Sequence, residues 1–213
     1  MKTARPSPSR CRTPSASARR FKGSLAVLQW LGTALTLALS TYVAPGDAAA
    51  QVVMEPPVYV EETKSYFTLV TVGNAAMPGL SWHNAYLRAR TLTHNGVPGR
   101  LAIIPSRSVN DFLRDSFRPK RAVWIGLQYY CHLQKLVWVD GKELSRFEYQ
   151  NWGPRWNIDG GSPNALHSSQ CESGTAAYNP VHYWSVKSGF YWNANGKAKH
   201  FADMFVEFPT SKE

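Results

Sequence analysis

Cysteine is scarce in this chain. Of three in 213 residues, Cys11 lies in a basic N-terminal stretch, which leaves Cys131 and Cys171 for the remainder. Neither combines with histidine at zinc-binding spacing, and the six histidines (83, 94, 132, 167, 182 and 200) never form His-Glu-x-x-His. Ser168 and Ser169 do not sit in a Gly-x-Ser-x-Gly elbow, and Gly160-Gly161 reads as a turn rather than a phosphate loop. Asp159 and Glu172 are the nearest approach to a carboxylate pair, in a region whose composition is that of an ordinary loop. No nucleophile or acid/base set is assembled, so the chain reads as non-enzymatic. Acidic residues are few as well, 14 against 24 Lys and Arg, for a net charge of +10. Seven of the basic residues lie before residue 23, and Asp47 alone among the acids precedes Gln51, so the rest of the chain carries only +4. The basic excess belongs to a leader, and a nucleic-acid partner is not expected.

That leader, residues 1–50, has the layout of an export signal. A basic, Ser- and Pro-rich start is followed by the uncharged, Leu- and Ala-rich run Ser24 to Ala44. Small residues then stand at −3 and −1 before Gln51. Arg19-Arg20 resembles a twin-arginine signal without its usual spacing. Some twenty uncharged residues also suffice to span a bilayer, so an uncleaved anchor is the alternative. The expected location is secreted or periplasmic, or membrane-anchored with the domain outside the cytoplasm. Either compartment permits disulfides, and Cys131 and Cys171 either pair or stay free.

Hydrophobic residues make up 44% of the chain, enough for a globular core, and aromatics reach 13%, with Trp 8 and Tyr 10. Residues 51–64, with Pro56-Pro57 and Glu61-Glu62 and no apolar period, read as a linker. Tyr66–Val72 reads as a strand. Ser81 caps a helix carrying Trp82, Ala85, Ala89 and Leu92 on one face and ending at His94-Asn95-Gly96. Ser106 starts a second helix, with Val109, Phe112, Leu113 and Phe117 inward, stopped by Pro119. Strands are expected at Ala122–Leu127, Leu136–Val139, Thr175–Tyr178, Phe190–Asn193 and Met204–Phe208. Early helices and late strands argue an α+β fold.

Trp82-x-x-Ala85, Gly99-Arg100-Leu101-Ala102, Ser106 through Phe112, Trp124-Ile125-Gly126-Leu127, Trp138-Val139-Asp140-Gly141, Asn151-Trp152 and Phe205-Val206 occur in the order found in C-type lectin-like domains. The chain resembles that family over about residues 64–209. The resemblance implies a double-loop domain at 65–209, with two helices, small antiparallel sheets and a long ligand loop, and a tail at 210–213. It places Trp124, Ile125, Leu127 and Trp138 in the core.

Many members of that family bind sugar through calcium, a hard cation that needs six to eight oxygens, several from carboxylates. The resemblance implies Glu-Pro-Asn, a Glu shortly before a cysteine, and Trp-Asn-Asp. This chain has Ser162-Pro163-Asn164, Ser169 two residues before Cys171, and Trp192-Asn193-Ala194. The amides Asn164 and Asn193 remain and no matched carboxylate does, so no metal site of the family type and no cofactor is expected; Asp159 and Glu172 are the nearby substitutes should calcium bind. The family's usual cysteine pair falls at Ala89 and Glu207, and a second pair has no partner after Trp192.

The stretch 178–191 is a long aromatic insertion, either a hairpin whose rings pack on one another or a platform for sugar C–H faces. Trp156, Tyr183 and Trp184 are the expected exposed rings, with Asp159, Asn164 and Asn193 beside them as polar ligand contacts. The expected function is an exported carbohydrate-binding module that works without calcium; the alternative is a calcium-independent protein-interaction domain of the same fold. The membrane is a partner only if the leader is an uncleaved anchor.

Overall fold

The computed structural model describes residues 51–73, 79–154, 169–174, 177–194 and 198–210. In chain order these form β1 (Gln51–Met54), β2 (Val58–Val60), β3 (Ser65–Gly73), α1 (Trp82–Thr91), β4 (Thr93–His94), β5 (Val97–Pro98), β6 (Arg100–Leu101) and α2 (Arg107–Phe117). There follow β7 (Val123–Tyr130), β8 (Lys135–Trp138), the short α3 (Ser169–Glu172), β9 (Tyr178–Tyr183), a 3₁₀ turn (Val186–Ser188), β10 (Trp192–Ala194) and β11 (Asp203–Pro209). The fold is α+β and C-type lectin-like, as its motifs imply.

Both helices begin where a serine can cap them. Ser81 Oγ accepts from the Asn84 N–H at the start of α1, and Ser106 Oγ accepts from the Val109 N–H at the start of α2. The helices flank β11, whose side chains alternate between them. Met204, Val206 and Phe208 pack with Trp82, Ala85 and Ala89 of α1, while Phe205 packs with Val109, Leu113 and Phe117 of α2. The first helix is shorter than its sequence suggests. It stops at Thr91, and Thr93–His94 pairs with Val97–Pro98 around Asn95 and Gly96, whose φ values are 50° and 78°. Asn-Gly in left-handed conformation turns a hairpin more readily than it continues a helix.

The strands run β1-β3-β11-β7-β9-β10, with β2 on β3, β6 on β11 and β8 on β7; β11 and β7 are parallel. Residues 51–64 are therefore not a linker. Val52 lies opposite Val72 and Tyr59 opposite Tyr66, so backbone pairing with β3 orders a segment that has no apolar period of its own. The strand expected at Thr175–Tyr178 instead begins at Tyr178, and that expected at Phe190 begins at Trp192, because Phe190 takes a positive φ of 52°.

The Trp-Ile-Gly-Leu segment is the hub. Trp124, Ile125 and Leu127 are fully buried, and Trp138 nearly so. Indole N–H groups tie it to α1: Trp82 Nε1 donates to the Ile125 carbonyl at 2.7 Å, and Trp124 Nε1 donates to the Leu80 carbonyl at 2.8 Å. Gly126 is required by close approach, since a Cβ there would lie 2.6 Å from the Leu101 carbonyl oxygen. At Asp140-Gly141 the carboxylate accepts from the Lys142 N–H and Gly141 adopts φ 88°, closing the turn after β8.

The cysteine positions inferred from the family need correction on β11. Ala89 does face the sheet, but its neighbours there are Val206 and Phe208, whereas Glu207 points to the other side. Glu207 is buried in a polar pocket. Arg100 donates to both carboxylate oxygens at 3.1 Å, Ser65 Oγ donates to Oε1 at 2.8 Å, and the Ile103 N–H donates to Oε2 at 3.1 Å. Between α1 and β11, apolar packing of Ala89 with Val206 and Phe208 stands where the resemblance implies a staple. Cys131 and Cys171 form a disulfide, with Cα atoms 5.2 Å apart, joining the end of β7 to α3 across 40 residues.

Candidate functional site

The β9–β10 hairpin carries the aromatic insertion. Tyr183 pairs with Trp192, His182 with Asn193 and Val181 with Ala194. Strand alternation sends Tyr183 and Trp192 to the α2 side and His182 and Asn193 to the other. Tyr183 is fully buried (0% exposed), stacked on Phe190 at 4.0 Å with its hydroxyl donating to Asn110 Oδ1 at 2.7 Å. Burial raises its hydroxyl pKa far above the ordinary tyrosine value. The expectation of an exposed Tyr183 is thus wrong: a ring two residues on from Val181 shares that residue's buried face.

Trp184, by contrast, is 40% exposed and Tyr191 38% exposed. They face each other just beyond the paired strands, where the Trp184 N–H donates to the Tyr191 carbonyl at 2.9 Å. Gly189 makes the turn possible: its φ is 93°, and a Cβ there would sit 2.3 Å from the Tyr191 ring. The tip is fixed to the end of α2 by the Val186 N–H, which donates to the Pro119 carbonyl. Tyr191 was missed in the sequence because it is flanked by two aromatic residues that turn out to be buried, Phe190 and Trp192.

Beneath Trp184 lies a buried polar pair. The His182 ring meets Trp184 edge-on at 4.8 Å, Trp124 at 5.7 Å and Phe201 at 4.6 Å. Its Nδ1–H donates to the Tyr183 carbonyl at 2.9 Å, which leaves Nε2 to accept from the Asn193 amide at 2.9 Å. Burial, with a smaller contribution from Lys199, pushes the His182 pKa down to about 4, so the ring is neutral at physiological pH. Asn193 is 2% exposed, so its expected role as a surface ligand contact is corrected: its amide is turned inward to position His182. Asn151 closes the other side, its amide donating to Asn110 Oδ1 and the Phe190 carbonyl.

Trp156, Asp159 and Asn164 lie outside the described residues. Among the described residues no group of three or more His, Cys, Asp or Glu side chains is arranged to hold a metal, and no helix is long and apolar enough to cross a membrane.

Residues 83–187 match the family model for the lectin C-type domain. The chain carries a C-type lectin-like domain. Similar solved structures include the C-type lectin CEL-I from Cucumaria echinata, at 17% identity over 70% of this chain and 92% of that one, TM-score 0.45. The mouse scavenger receptor C-type lectin carbohydrate-recognition domain is 17% identical over 74% of this chain and 99% of its own, TM-score 0.46. Human lithostathine is 17% identical over 73% and 98%, TM-score 0.48. No curated protein matches the chain. C-type lectin domains are generally non-enzymatic, commonly extracellular, and bind ligands at surface loops. The match supports a binding module.

Proposed function

We propose that this protein is an exported, non-enzymatic carbohydrate-binding module that engages its ligand without calcium, with Trp184 as the stacking ring. The observation that carries this reading is the pairing of an exposed Trp184 with an Asn193 turned inward to His182. An indole face offers sugar C–H groups a surface of matching polarity without a metal. The Asn193 amide nitrogen donates to His182 within the hairpin, and Ser162, Ser169 and Ala194 supply no carboxylate to a family-type calcium shell.

A second reading has its own observation. β1 is the edge of the sheet, and beside it Val52, Val72, Leu80 and Leu87 line an open apolar depression of about 560 Å³. An edge strand bordered by apolar surface suits a protein partner.

The two separate on a glycan array probed with the wild-type protein and with Trp184→Ala. The carbohydrate reading expects discrete glycan signals that the substitution reduces at least tenfold while the thermal unfolding midpoint stays put. An array blank for the folded wild type moves the assignment to the protein partner.

A further inference from the structure

Positive charge collects where the end of α2 meets the hairpin. Arg114, Arg118 and Lys120 from the helix end and Val186 and Lys187 from the 3₁₀ turn line a pocket of about 320 Å³, with Asp115 as its one carboxylate. A backbone bond joins the two segments, the Val186 N–H donating to the Pro119 carbonyl at 3.1 Å. Lys187 is thereby brought to a cluster that is otherwise local to α2.

The carboxylates there are already committed. Arg114 donates to Asp111 Oδ1 at 2.8 Å and to the two oxygens of Asp115 at 2.8 and 3.0 Å. Arg118 reaches only the Asp115 backbone carbonyl, at 3.3 Å. Lys120 and Lys187 are exposed and form no ion pair with the described residues. Four cations and two carboxylates leave a surplus of +2, half of the +4 carried from Gln51 onward. Cations at a helix C-terminus complement its dipole, which accounts for Arg114 and Arg118. It does not account for Lys187, which the hairpin supplies. Arg118 also takes φ 44° and ψ 54°, a left-handed conformation that glycine enters without steric cost. A long cationic side chain stands there against that preference. Like charges held around one concavity repel one another until a counter-charge enters.

We propose that this pocket binds an oxyanion, the sulfate, phosphate or carboxylate group of an acidic glycan, with Arg118, Lys120 and Lys187 as its cations. Ammonium and guanidinium groups pair with any of these anions, arginine through a planar fork of donors. A pocket of about 320 Å³ with three uncommitted cations matches one such group, not the extended row of phosphates on a nucleic acid. That the anion is carried by a glycan rests on the carbohydrate reading above. The turn that supplies Lys187 follows directly on exposed Trp184, and the exposed Tyr191 ring lies against Gly189 at its end.

The test is an array of neutral, sulfated, phosphorylated and uronic-acid glycans. It is read with the wild type, with Lys120→Ala/Lys187→Ala, and with Lys135→Ala/Lys142→Ala, which removes the same charge from exposed lysines elsewhere. Thermal unfolding midpoints show that each protein is folded. The proposal expects acidic glycans to be bound over neutral ones of the same backbone. Their signal should fall at least tenfold in Lys120→Ala/Lys187→Ala, hold in the other pair, and weaken as salt rises from about 50 to about 300 mM. Neutral glycans bound as well as acidic ones, or an equal loss in both double variants, would overturn the oxyanion pocket and leave the carbohydrate reading standing. An array blank for the folded wild type would overturn both, and binding to vesicles of anionic phospholipid would then assign the pocket to a membrane surface.

Discussion

Acidification from pH 6.5 to pH 4 will destabilise the protein by an amount traceable to one ring. His182 is neutral in the fold because burial penalises its charged form and Nε2 is already accepting from Asn193. In the unfolded chain it titrates near its ordinary value of 6.5, and in the folded chain near 4. Between those values the unfolded state binds a proton that the native state refuses, so stability falls as pH falls. At about 1.4 kcal/mol per pH unit across that window, the loss approaches about 3 kcal/mol. Glu55, whose carboxyl is raised chiefly by burial and also by Asp203, works in the opposite direction. The His182 contribution is therefore read as a difference. Urea unfolding of wild type and His182→Gln is followed by tryptophan fluorescence at pH 7.5, 6.5, 5.5 and 4.5. The gap between their unfolding free energies should shrink by roughly 1 kcal/mol per unit below pH 6.5. A gap independent of pH would refute the burial argument.

Other perturbations have equally direct readouts. Cys131→Ser/Cys171→Ser opens a 40-residue loop and should cost about 4 kcal/mol on the chain-entropy model, seen as a lower urea midpoint that reductant no longer shifts. Glu207→Ala removes the carboxylate that accepts from Arg100, Ser65 and the Ile103 N–H and should cost about 3 kcal/mol in urea unfolding; a loss below 1 kcal/mol would mean water replaces the carboxylate. Gly126→Ala drives a methyl group against the Leu101 carbonyl and should cost about 2 kcal/mol or more, read as a drop in thermal midpoint, whereas Gly141→Ala, which meets no atom, should show only the smaller strain of its positive φ. Trp184→Ala should leave stability within about 1 kcal/mol of wild type, because the ring is half outside.

Much of the framework is legible in the sequence because it rests on local rules. Serine caps and a 3.6-residue apolar period follow from spacing, and the burial of Trp124 and Trp138 from the resemblance to C-type lectin-like domains. What escapes is set by pairing across the chain. Residues 51–64 have no internal pattern, and β3 orders them by backbone hydrogen bonds that no local signal announces. Asn95-Gly96 marks a turn, yet only the Thr93–Pro98 pairing shows it to be a hairpin and not a helix end. In the hairpin, Tyr183, Trp184, Tyr191 and Trp192 look alike in composition; register decides that the inner pair is core and the outer pair meets solvent. Asn193 was found by its motif but misread, since the motif gives a residue type and His182 gives its direction.

The most direct test of the account is a glycan array run on the wild-type protein twice, in millimolar calcium and in excess chelator. The account predicts the same glycans at the same intensity in both. Signals that vanish with chelator would contradict it, placing a calcium ion where the matched carboxylates are missing.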